Sequence, residues 1–231
     1  PFNLISFVER KKMSNIEKEE YEKAISVLKK CATPHGFFAA FPGYDMVWAR
    51  DSVITSLGAS LIGNKFKNTF KNSLITIGNE QSKKGQIPNA VDKFSKRQHH
   101  VDFQTLDSSL WFIIGHFAYK KKFKDNELFN KNKNKINKAL FWISQLDTGE
   151  DGMPEQLPTT DWQDAFPHRY GHTINTQALY YKCLVLLGKN KEAQHIKKQL
   201  EKEGTLPIHI KSYDYESLFD ESNFARENIL F

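Results

Sequence analysis

The feature that most constrains this chain is an alternation of connection lengths. Apolar periodicity places helices at about Asp51 to Leu61, Lys65 to Glu80, Leu106 to Tyr119, Asp125 to Leu146, Thr173 to Leu187 and Lys191 to Glu203. An earlier helix opens at Ser14 and Glu17, the spacing of a capping box, and carries the stripe Ile16, Ala24, Ile25 and Leu28. Some links are short: Gly63-Asn64, Lys122-Phe123 and Gly188-Lys189-Asn190. Short links make antiparallel helical hairpins. The others are long: Thr33 to Arg50, Gln81 to Thr105 and Asp147 to His172. Each long segment leads into the second, fourth or sixth helix, so antiparallel alternation gathers all three at one end. Those helices are apolar on most faces and are expected inside. The third, fifth and seventh carry lysines and are expected outside. The pattern predicts an all-α toroid of inner and outer helices, with almost no strands and the loops on one face.

Composition narrows the function classes. The chain has 231 residues, a net charge of +6 and an aromatic fraction of 13%, too aromatic for a disordered segment. Its basic side chains are 28 lysines and five arginines. Nucleic-acid surfaces favour arginine for bidentate contacts, so the lysines read as a solvated coat and no nucleic-acid partner is expected. No apolar run reaches the ~20 residues of a membrane helix, so no membrane partner is expected either. Cys31 and Cys183 are too few for a disulfide framework, and residues 1–12 lack the marks of a secretory leader. A reducing, cytoplasmic setting is the expectation.

The long loops hold the chemistry. The first ends Trp48-Ala49-Arg50-Asp51, where Asp51 suits a helix N-cap. Arg50 and Asp51 also suit paired sugar hydroxyls, and an indole such as Trp48 suits a pyranose face. The second holds Gly85-Gln86-Ile87-Pro88-Asn89 and leads to Thr105, an expected N-cap, and Asp107. Asp107 enters an apolar helix as either a dipole-stabilised first-turn carboxylate or an active-site group. The third gathers Glu155, Asp161, Trp162, Asp164, Arg169, His168 and His172. Glycoside hydrolysis needs two carboxyl groups, a proton donor and a partner that activates water or attacks. His99, His100, His168 and His172 match no zinc spacing, so no metal is expected, nor any cofactor.

These motifs, in this order, with Thr105-Leu106-Asp107-Ser108-Ser109-Leu110-Trp111-Phe112, Asp161-Trp162-Gln163-Asp164-Ala165 and Asn175 to Tyr181, resemble the glucosidase domain of glycogen-debranching enzymes and their amylo-α-1,6-glucosidase relatives. The likeness runs from about Phe37 to Leu187. Asp107 to Trp111 is also similar to the neutral/alkaline invertase family. The resemblance implies an (α/α)6 six-hairpin toroid that hydrolyses glycosidic bonds in an oligo- or polysaccharide, with inversion. It implies Asp164 as general acid, Arg50 and Asp51 on the non-reducing glucose, and Asp107 in the same subsite, or itself the acid in the invertase-like reading. Trp48, Trp111 and Trp162 become aromatic platforms, with Asn89, Glu155, Asp161, Arg169 and His172 as further substrate contacts. Gln163 stands where the family has Met, which bears on the linkage cleaved.

Six hairpins need twelve helices and seven are legible, so the chain is expected to be one partial toroid domain over residues 1–231, with an N-terminal extension at 1–13. The family's base is a Glu late in the domain; Glu216 and Glu221 lie in the tail without a motif linking either to that role. Two other readings compete: a non-catalytic carbohydrate-binding module, and a basic helical protein that binds an anionic polymer.

Overall fold

The computed structural model describes residues 14–93, 100–165 and 167–201. The tail with Glu216 and Glu221, the extension at 1–13 and His99 lie outside them. Seven helices form among the described residues: α1 (Asn15–Cys31), α2 (Ala49–Ser60), α3 (Lys67–Asn79), α4 (Asp107–Phe123), α5 (Glu127–Ser144), α6 (Ile174–Leu186) and α7 (Asn190–Glu201). The capping box is present: Ser14 Oγ accepts from Glu17 N at 3.2 Å, and the Glu17 carboxylate accepts from Ser14 N at 2.7 Å.

Three hairpins follow, α2 with α3, α4 with α5 and α6 with α7. The central helix α4 packs against both α2 and α6, so the even-numbered helices stand side by side as an inner layer. Leu110, Phe112, Ile113, Ile114, Gly115, His116 and Tyr119 bury most of its circumference. Close approach depends on Gly115, where a Cβ would come within 2.8 Å of Leu74 and 3.2 Å of Val53. Outside, α5 shows the sharper division, with Leu128, Ile136, Ala139, Leu140 and Ile143 inward and its lysines outward. No described helix is long and apolar enough to cross a membrane.

Two corrections concern the helix starts. Asp51 does not cap α2. It lies in the first turn; Trp48 holds the cap position without a side-chain bond, and Ala49 N donates instead to Asn89 O at 2.8 Å. Thr105 does not cap α4 either. Leu106 occupies that position, and the Thr105 hydroxyl donates to Asn89 Oδ1 at 2.9 Å and bonds Ser108 Oγ at 2.7 Å. In both cases a group from another loop engages the chain at the helix start: Asn89 O accepts from Ala49 N, and Thr160 O accepts from Leu106 N.

Strands are scarce, as the pattern predicts. Among the described residues five two-residue strands occur, too short to give a period-2 signal: β1 (Ala32–Thr33), β2 (Gly36–Phe37), β3 (Val47–Trp48), β4 (Ala90–Val91) and β5 (Val101–Asp102). β1 pairs with β2, and β3-β4-β5 form an antiparallel sheet joining the first long loop to the second. The third is tied on by Leu106 N to Thr160 O at 2.8 Å and Gln104 Nε2 to Thr159 O at 3.1 Å. All three long loops therefore meet at one end, as the connection lengths require.

Candidate active site

Asp107 opens α4 with its side chain fully buried. Arg50, from the first turn of α2, reaches it: Nη1 lies 3.1 Å from Oδ2 and 3.3 Å from Oδ1. Arg50 Nε lies 3.9 Å from Asp51 Oδ2. Side-chain exposure rises along this row from 0% at Asp107 to 16% at Arg50 and 41% at Asp51, so the charges lead from the core to an open surface. Burial pushes the Asp107 carboxyl up from the ordinary range; the Arg50 guanidinium opposes this, and the nearby Asp161 charge adds to it. A carboxyl in this setting is suited to holding or passing a proton.

Asn89 fixes the start of both helices. Besides the bonds to Ala49 and Thr105, its Nδ2 donates to Asp102 Oδ2 at 2.8 Å. It is buried and its polar side-chain atoms are engaged by protein, so its place is beneath the site.

The third loop is organised by a buried ion pair. Arg169 Nε and Nη2 donate to Asp161 Oδ2 at 3.0 and 2.8 Å, and both side chains are fully buried. Arg169 lies over the Trp162 ring, 5.9 Å from its centroid, and Gln163 N donates to Asp161 Oδ1 at 2.9 Å. This turn presents half-buried Asp164, which makes no hydrogen bond or ion pair within the described structure. Trp48 and Trp111 are half-buried, and Trp48 Nε1 and Gln163 Oε1 are buried atoms without a hydrogen-bond partner among the described residues. His172 Nε2 lies 3.6 Å from Glu155 and 3.7 Å from Asp151. Among the described residues no group of three metal-ligating side chains converges.

The geometry thus brings Arg50, Asp51, Asp107 and Asp161 together, and sets Glu155 with His172 in a second group. Residues that sequence reasoning missed hold the loops in place. Gln156 Oε1 accepts from Thr173 at 2.6 Å and Thr176 at 2.8 Å, its Nε2 donates to Arg169 O at 3.2 Å, and Gln177 Nε2 donates to Pro154 O at 2.6 Å. No local pattern marks them; only their partners 13 to 23 residues away do.

Residues 5–226 match the family described as amylo-alpha-1,6-glucosidase. The chain belongs to that family. Among solved structures it is similar to a rhamnosidase from Klebsiella oxytoca with rhamnose bound, at 14% identity and a TM-score of 0.61. The likeness covers 84% of this chain and 38% of the rhamnosidase chain, so this member of the amylo-alpha-1,6-glucosidase family spans well under half the length of that relative. At that identity the likeness establishes the fold, the six-hairpin α/α toroid, of which the described residues supply three hairpins. Comparison with curated proteins finds no match.

Proposed function

We propose that this chain contributes to a glycoside hydrolase of the debranching type, cleaving α-glucosidic bonds in an oligo- or polysaccharide with inversion. The observation that carries the reading is Asp107: a buried carboxyl, raised by desolvation, facing Arg50 at the end of the molecule where the family motifs converge. Family membership supplies the class of reaction.

In this reading Arg50 and Asp51 bind paired hydroxyls of the terminal glucose, since guanidinium and carboxylate offer complementary donors and acceptors. Asp107 holds Arg50 in its orientation from beneath the same subsite. Asp164 donates a proton to the glycosidic oxygen, while a base on the opposite face takes one from the attacking water. Asp164 follows directly on the turn that Asp161, Gln163 N and Arg169 hold. An invertase-like alternative makes Asp107 the acid, and its raised pKa favours that assignment.

Two variants of the intact protein separate the readings. With Asp164 as acid, Asp164→Asn lowers kcat by about 10²–10⁴, the usual worth of general acid catalysis. A substrate with a good leaving group then restores most of the rate, because its departure needs no proton. With Asp107 as acid, Asp107→Asn shows that leaving-group rescue and Asp164→Asn does not. Rescue of neither variant overturns both assignments.

A further inference from the structure

The outer rim of the loop face carries a cleft that the Arg50–Asp107 row does not use. A cavity of about 620 Å³ lies between the end of α5 and the third loop, and a second of about 170 Å³ adjoins it. Both are lined by Leu146, Glu155 and Leu157, so they form one groove. Tyr170 closes one end; Trp142 and Gln104 line the other.

The backbone explains the apolar platform. Gln156 and Gly171 form an antiparallel bridge, with N–H to O distances of 3.0 and 2.8 Å in the two directions. Antiparallel pairing puts the next residues, Leu157 and Tyr170, opposite each other on one face. Gln156 turns inward, where Thr173 and Thr176 hold it, so its neighbours turn outward. Leu157 is 72% exposed and Tyr170 60% exposed, although both belong to a firmly anchored turn. Large apolar side chains held open beside a cavity mark a binding surface.

We propose that this groove is an accessory saccharide site that holds a stretch of an α-glucan chain at a distance from the bond being cleaved. A pyranose has an apolar C–H face and a hydroxyl edge. Tyr170 and Leu157 offer a surface for the face. The Glu155 carboxylate, 29% exposed, and the Gln104 amide offer partners for the edge. Glu155 also has His172 3.6 Å away, a second polar group beside the groove. The inference rests on the glycosidase reading for the identity of the sugar.

Calorimetric titration of maltoheptaose into the intact protein tests it, with Asp107→Asn as the background to weaken the catalytic subsite. Binding is expected to persist in that background. Tyr170→Ala weakens it by about fivefold, the order of one aromatic contact, while Tyr170→Phe preserves it. Thermal midpoints close to the parent's confirm that Tyr170→Ala has not unfolded the loop. Absence of binding in the Asp107→Asn background, or equal affinity for the Ala and Phe variants, overturns the site. The glycosidase reading fails separately, if the wild-type protein binds maltoheptaose but cleaves no glucan.

Discussion

Asp161 and Arg169 illustrate how a residue that suits a sugar can be committed elsewhere. Both are fully buried, and each meets the other's charge. Removing one partner leaves an uncompensated charge in the core, which costs about 3–5 kcal/mol. Arg169→Ala is therefore expected to lower the denaturant midpoint strongly, and Asp51→Ala, at a half-exposed position, only slightly; chemical denaturation compares them. His116 gives a pH dependence. Its Nδ1 donates to Phe112 O at 2.8 Å and its Nε2 accepts from Asn132 at 2.9 Å, so it is neutral, and burial brings its pKa down to about 4. The unfolded chain, at about 6.5, binds the proton first, so this contribution is complete above pH 6.5 and is lost as pH falls towards 4. The loss amounts to about 3 kcal/mol. Denaturation at pH 7 and pH 4.5 measures it, and His116→Leu should flatten the difference.

At the scale of elements, the packing of α4 against α2 and α3 depends on Gly115. Gly115→Ala drives a methyl against Leu74 and Val53 and is expected to destabilise by about 1–3 kcal/mol, read as a fall in the denaturant midpoint. The helices themselves were legible, because their apolar periodicity is local information. So were the hairpins, which follow from short links around Gly63, Phe123 and Gly188. The first-turn position of Asp107 was legible as well, but that of Asp51 and the residues at both cap positions were not. Both helix starts are engaged by Asn89 and Thr160, residues distant in sequence, and no local capping pattern records such a bond. The same reason hid Gln156 and Gln177 while the neighbouring Glu155 drew notice as a carboxylate. Gly85 shows the effect again: its φ of +110° lets the second loop lie directly on the Lys138 backbone of α5, a contact visible only in the fold.

For the whole molecule, three hairpins with their long loops at one end bring the segments around Arg50, Asn89, Asp107 and Asp161 to a common face. Lysines are spread over α1, α5 and α7, and those in the last turn of α4 complement the helix dipole. Several pair locally, as Lys67 does with Asp125 at 3.1 Å. This distribution suits a solvated coat around a carboxylate-bearing face, and it separates the overall charge of +6 from the chemistry of the site. We propose that this face takes part in inverting cleavage of an α-glucosidic bond. Proton NMR of the intact protein acting on an α-1,6-branched glucan tests it most directly. β-Glucose is expected to appear first, and Asp164→Asn or Asp107→Asn to suppress its appearance; glucose released first as the α-anomer, or no release by the wild-type protein, contradicts inverting cleavage at this face.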